Sequence, residues 1–148
     1  MTLLDAVYSR LASWGAGITS PVPVHRLDVP GKPTVDETGL GRYLVVFPVD
    51  WTRRSDTANG RATAIREEVQ VTYVAWLQDS LTSPDGAAQW LRQQVSDLLI
   101  DWVPALDGLV GVAPIQHSGQ TPPRRDTTVA DRKPVVGADR YFTVGSLI

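Results

Sequence analysis

Two neighbouring stretches constrain this chain most: IREEVQVTYVAW, residues 65–76, and SPDGAAQWLRQQVSDLLIDWV, residues 83–103. In the first, Val69, Val71, Tyr73 and Ala75 alternate with Glu68, Gln70 and Thr72 until Val74 and Trp76 change the pattern. That is the period-two signature of a strand with one face buried and the other partly wet. In the second, Ala88, Leu91, Val95, Leu98, Leu99 and Trp102 recur at helical spacing. Ser83 is a good N-cap, Pro84 suits a first helical position whose N–H has no partner, and Asp85 complements the helix dipole. Pro104 and Gly108 end the pattern. An apolar helical stripe needs a surface to cover it, and an alternating strand offers one.

The remaining segments fit the same plan. Leu4, Val7, Tyr8, Leu11 and Trp14 predict an N-terminal helix over residues 2–14, with Thr2 as N-cap and Gly15 and Gly17 as stop signals. Four prolines between residues 21 and 33 forbid a helix, so residues 22–28 read as a short edge strand. RYLVVFPV, residues 42–49, is β-branched and aromatic and reads as a strand. The polar residues 50–64 read as a loop, and residues 110–116 and 139–145 as two final strands. The expectation is one α+β domain over residues 1–148. Its sheet is mostly antiparallel, with about four strands plus a projecting hairpin and both helices on one face.

Composition and motifs argue against catalysis. The chain has no cysteine, which excludes disulfides and thiolate metal sites. A net charge of −2 does not favour nucleic acid or an acidic membrane surface. No run approaches the roughly eighteen apolar residues of a membrane span. Asp5 and Arg10 break the apolar start, so no secretory signal is expected there and the chain is expected to fold where it is made. His25 and His117 lack ligand spacing and read as surface residues at strand ends. Glu67 and Glu68 are strand neighbours, so they point to opposite faces and cannot act as a dyad. No nucleophile elbow and no phosphate-binding loop is present. The expectation is a protein that is not an enzyme and that holds no cofactor and no metal.

The charged loops carry the candidate functional residues. Residues 118–138 form a long arm with Arg124, Arg125, Arg132 and Lys133 against Asp126 and Asp131, four positive and two negative charges, hence +2. Residues 28–41 hold Lys32 against Asp28, Asp36 and Glu37, one positive and three negative, hence −2. Arg53, Arg54 and Arg61 add a second basic group in residues 49–64. One reading is ordinary solvated loops. The other is an interface in which basic arms of one subunit meet the Asp36 and Glu37 loop of the next, a head-to-tail contact able to close a ring. The arm has no aromatic residue among its basic ones, so it offers no stacking platform for single-stranded nucleic acid. Pro122 and Pro123 favour extended chain, and Thr127, Thr128 and Val129 favour strand, so a hairpin covered by a neighbour is expected. Trp14 and Trp102 fall on apolar stripes and read as core, Trp90 lies off its stripe, and Trp51 and Trp76 flank loops.

EEVQVTYVAW, the polar turn LQDSLTSPDG and the helix AAQWLRQQVSDLL together resemble the central strand-to-helix unit of tail terminator proteins of long-tailed, siphovirus-type bacteriophages. GVAPIQHSG with DRYFTV is similar to the closing hairpin of that family, and RYLVVFP to its preceding strand, so the resemblance spans residues 42–145. It implies a virion structural protein assembled in the host cytoplasm. A homohexameric ring would cap the head-proximal end of the tail tube, stop tube polymerisation and dock the head-side connector. Partners would be further copies, the tail tube protein and the connector or stopper protein, with DNA passing through the lumen without readout. The family has no active site to transfer, and the long basic arm departs from its pattern. Beside this reading stand a head-completion or stopper protein of the same connector, a monomeric module that adds a peptide strand to its sheet edge, and an enzyme with an unrecognised site.

Overall fold

A computed structural model describes residues 1–30, 41–49, 54–58, 61–76, 84–125 and 134–146, with the backbone alone described at 54–58, 61–63, 84, 85, 124 and 125. The order is α1 (Leu3–Gly17), β1 (Val24–Arg26), β2 (Arg42–Pro48), β3 (Arg54–Ala58), β4 (Arg61–Ala75), α2 (Pro84–Leu99), β5 (Gln116–Arg125) and β6 (Val135–Ser146). One sheet runs β1-β2-β4-β6-β5, and β3 pairs with the start of β4. Among the described residues, only β1 and β2 run parallel; the other pairings are antiparallel. This is the expected α+β fold, with six strands among the described residues.

Helix α1 starts as its sequence dictates. The Thr2 hydroxyl accepts from the Asp5 N–H at 3.2 Å, and the Asp5 carboxylate accepts from the Thr2 N–H at 2.8 Å, a closed capping box. The Thr2 N–H, and after it the Arg26 guanidinium, hold the Asp5 carboxyl down at about 2. A depressed folded value means that this contribution is present above the ordinary 3.8 and is lost as pH falls toward 2. The cap contributes about 1 kcal/mol. Burial of Leu3, Leu4, Val7 and Leu11 contributes about 1.5–3 kcal/mol each, so packing decides that the helix persists. Gly15 does not stop the helix. A Cβ there would lie 2.3 Å from the Val22 carbonyl oxygen, so Gly15 lets the returning chain cross close by.

The sheet divides its side chains cleanly. Leu44, Val46, Val69, Val71, Tyr73, Ala75, Val135 and Tyr141 face the helices and meet Leu3, Val7 and Leu11 of α1 and Ala88, Leu91, Val95 and Leu99 of α2. Tyr43, Val45, Phe47, Val74 and Trp76 form a second apolar cluster on the other face, with Leu27 and Val136 against it. The change of pattern at Val74 and Trp76 marks this cluster, and β2 is buried on both faces.

Three expectations are corrected. Residues 54–58 and 61–64 are not loop but the β3–β4 hairpin, Arg54 opposite Arg66 and Ala58 opposite Arg61. Its residues are polar or small, so ladder pairing holds it where hydrophobic periodicity is missing. The final strand pair begins later than residue 110: residues 110–115 hold a single bridge from Val110 to Ser146, and β5 starts at Gln116. Helix α2 ends at Leu99, short of residue 103, because Asp101 takes a left-handed φ of 68° and its N–H donates to the Ile115 carbonyl at 3.1 Å.

Tyr73 and Gly137 stand opposite each other on β4 and β6, with the Tyr73 ring close over the glycine. A Cβ at Gly137 would sit 2.3 Å from the Tyr73 ring, whereas one at Gly119 of β5 would meet nothing within 4 Å. Gly137→Ala is expected to lose about 1–3 kcal/mol through overpacking. Gly119→Ala is expected to stay within about 0.5 kcal/mol of the parent. Urea unfolding of both variants measures the difference.

Candidate functional site

The proposed interface residues separate into two groups. Asp36, Glu37, Arg53, Arg132 and Lys133 lie outside the described residues. Arg54 and Arg61 sit at the β3–β4 hairpin. Arg124 and Arg125 lie opposite Val136 and Val135, which pair in turn with Val74 and Ala75. The two basic groups therefore occupy opposite ends of β4, on the order of 40 Å apart at about 3.3 Å per residue. The arm also differs from expectation over residues 118–125 and 135–138. These belong to the body of the sheet, β6 being paired by β4 from Val135 to Ser146, and do not project as a free hairpin. Residues 126–133 lie outside the described ones.

His117 is not a plain surface histidine. Its Nε2 lies 2.8 Å from Oδ1 of Asp139, while the Arg92 Nε donates to Oδ2 at 3.2 Å. Asp139 is 2% exposed, and Arg92 and His117 reach it from α2 and β5. The Tyr141 ring meets the His117 ring edge-on at 5.5 Å. Burial, and then the nearby Asp139 charge, push the Tyr73 phenol up to about 12 and raise that of Tyr141 as well. Both phenols thus stay neutral near neutral pH. Both carboxylate oxygens of Asp139 are engaged, so the cluster acts as a tie joining β6, β5 and α2. Among the described residues, no three His, Asp or Glu side chains are placed to hold a metal. Sequence spacing could not reveal this tie, because its members come from three elements.

The opposite face of the same strands is a polar shelf. A groove of about 220 Å³ is lined by Glu68, Gln70, Ser118, Gln120, Thr121 and Arg140. The Ser118 hydroxyl donates to Glu68 at 3.2 Å, Arg66 donates to the same carboxylate at 3.0 Å, and Arg140 donates to Gln70 at 3.2 Å. Arg66 also stacks on Phe142 at 3.9 Å.

On the helical side, α1 and α2 leave an apolar groove of about 530 Å³ between them, lined by Ser9, Arg10, Ser13, Trp14, Leu98 and Trp102. Arg10 stacks over Trp102 at 4.5 Å, and its Nε donates to the Leu98 carbonyl at 2.6 Å. Arg42 stacks over Trp90 at 4.1 Å, and Trp90 meets Trp14 at 5.7 Å. Trp14 and Trp102, expected in the core, pack half-buried at its edge and form the seam. Trp76 is buried in the second apolar cluster, and Trp51 lies outside the described residues. Among the described residues, no helix is long and apolar enough to cross a membrane.

The sequence matches no protein-family profile and no curated protein. Among solved structures, one whose designation carries no function is similar with a TM-score of 0.56 and 22% identity, over 94% of this chain and 91% of that one. At that identity the likeness speaks for the fold alone.

Asp139→Asn removes the charge that Arg92 and His117 share. A loss of about 2–3 kcal/mol is expected for hydrogen bonds to a charged group. Asp28→Asn, on a carboxylate 73% exposed, is the neutral control. The raised tyrosine values mean that their contribution is complete below pH 10 and is lost as pH rises through about 12. Unfolding curves recorded against pH are therefore expected to fall only on that alkaline side for these two phenols.

Proposed function

We propose that this chain is the subunit of a ring that caps the tail tube of a long-tailed bacteriophage, ends tube polymerisation and presents a docking surface to the head-side connector. The supporting observation is that five of the six segments carrying the sequence resemblance, all but the turn LQDSLTSPDG, lie together in one unit. RYLVVFP is β2, the core of β4 is EEVQVTYVA, and AAQWLRQQVSDLL is the body of α2. GVAPIQHSG leads into β5, and DRYFTV forms the centre of β6. A ring subunit needs a rigid body with two different faces. The sheet, buried on both faces at β2, supplies rigidity, and the basic residues at its two ends supply distinct contact regions. The net charge of −2 suits a lumen through which DNA passes without being held.

The peptide-adding module fits less well. Edge strand β5 carries Pro122 and Pro123 and shifts register at His117/Gly119 and Thr121/Arg124, features that blunt an edge against strand addition. The other edge, β1, is three residues long. Electron microscopy of tail tubes incubated with the protein separates the terminator from a connector stopper: a ring is expected on the head-proximal tube end. Arg124→Glu with Arg125→Glu is expected to leave the fold intact and to weaken ring closure or docking. Bare tubes, together with a chain that stays monomeric at all concentrations by light scattering, would remove the proposal.

A further inference from the structure

We infer that the outward face of α1 and α2 is a two-fold contact with a second copy of this chain, in which Asp97 and Ile100 of each copy enter the groove between Trp14 and Trp102 of the other. The contact goes beyond the ring reading and does not depend on it, since none of the basic residues at the two sheet ends takes part.

The helical layer is poor in charge. Leu3–Gly17 and Pro84–Leu99 contain no Lys and no Glu. A helix face that meets water is ordinarily charged, whereas the centre of a protein interface is depleted of charge. Among the charged side chains described on the two helices, Asp5 pairs with Arg26, and Arg92 pairs with the buried Asp139. Arg10 and Asp97 are left, one cation on α1 and one anion on α2. The rest of the exposed face is small or neutral: Ser9, Ser13 and Ala16 on α1, and Gln89 and Gln93 on α2.

The groove asks for an apolar group with a carboxylate beside it. Its lining carries two indoles and two cations. One cation, the Met1 ammonium, already pairs with Asp107. The other is Arg10. Its Nε donates to the Leu98 carbonyl and its guanidinium lies on Trp102, which fixes the group in place. Its terminal nitrogens have no partner among the described residues. Asp97 and Ile100 match that chemistry. Ile100 is 38% exposed, and its N–H donates to the Ser96 carbonyl at 3.0 Å, so the helical turn continues through it. Residues three apart on such a turn share a face. Asp97 is exposed and held in position by Gln93, which donates to one of its oxygens at 2.8 Å.

Symmetry follows from where these groups stand. Asp97 adjoins Leu98, which lines the groove, yet within one copy Asp97 and Arg10 form no ion pair. The entering residues and the receiving groove therefore lie side by side on one face. Such a patch is self-complementary about a two-fold axis, where Arg10 meets the second copy's Asp97 and Asp97 meets its Arg10. A head-to-tail contact needs two different patches instead.

Light scattering of the full-length chain over a range of concentrations measures the association. Asp97→Arg is expected to weaken it roughly tenfold or more, because each Arg10 then faces a like charge, and Arg10→Glu is expected to do the same. Mixed in equal amounts, the two variants are expected to associate again, since both contacts of the mixed pair then join opposite charges. Thermal melting checks that each variant keeps its fold. The absence of native cysteine gives an independent arm. A chain carrying both Ser13→Cys and Ile100→Cys, mildly oxidised, is expected to give linked dimers and no longer species. Ser13→Cys with Gln120→Cys, on the polar sheet face, is the control, and linkage roughly tenfold or more above it is expected from the higher effective concentration of a docked pair. A chain monomeric at every concentration, linkage no higher than the control, or a ladder of trimers and longer species overturns the two-fold contact. Each of these results leaves the ring reading to the tail-tube experiment.

Discussion

Strand β4 is the constraint on which the other elements depend. It is hydrogen-bonded on one side to β3 and then β2, and on the other to β6 from Ala64 to Ala75. A strand so placed must fill both of its faces. Val69, Val71, Tyr73 and Ala75 do so against the helices, and Val74 and Trp76 against the second cluster. The pleat makes this a register condition, since a slip of one residue would exchange the two sets. Tyr73 sharpens it, because only a glycine opposite leaves room for its ring, and Gly137 stands there.

Around that strand, apolar burial and one polar tie share the work of orientation. The stripes of α1 and α2 are buried against the sheet, yet burial alone does not fix the angle of a helix on a sheet. The Asp139 carboxylate, bonded to Arg92 on α2 and His117 on β5, adds direction. A buried carboxylate is costly unless both oxygens are paired, and here both are. The cost of a wrong arrangement, a stranded charge, is therefore larger than the gain of the right one.

Much of this was legible in the sequence, and the reasons for the exceptions are physical. The α2 stripe, the Thr2 cap and the alternation of β4 follow from local periodicity, and each is present. The β3–β4 hairpin is not legible in the sequence because Arg54–Ala58 and Arg61–Ala64 carry no apolar alternation; ladder bonds alone define them. Strand β5 reads in the sequence as part of an arm, since Pro122 and Pro123 argue against a central strand but are tolerated at an edge. Arg124 and Arg125 are legible in the sequence as a basic pair, but their position at the far end from Arg54 and Arg61 depends on pairing that only the fold reveals.

The body is organised by β4, and its closing strands are part of the sheet. Amide hydrogen exchange resolved by residue tests that description most directly. Exchange is predicted to be slowest at residues 69–75 of β4 and 136–141 of β6, and faster along β5, whose outer edge is unpaired among the described residues. Fast exchange throughout residues 135–138, with protection confined to residues 139–146, would show that the hairpin stands free of the sheet and would contradict the account.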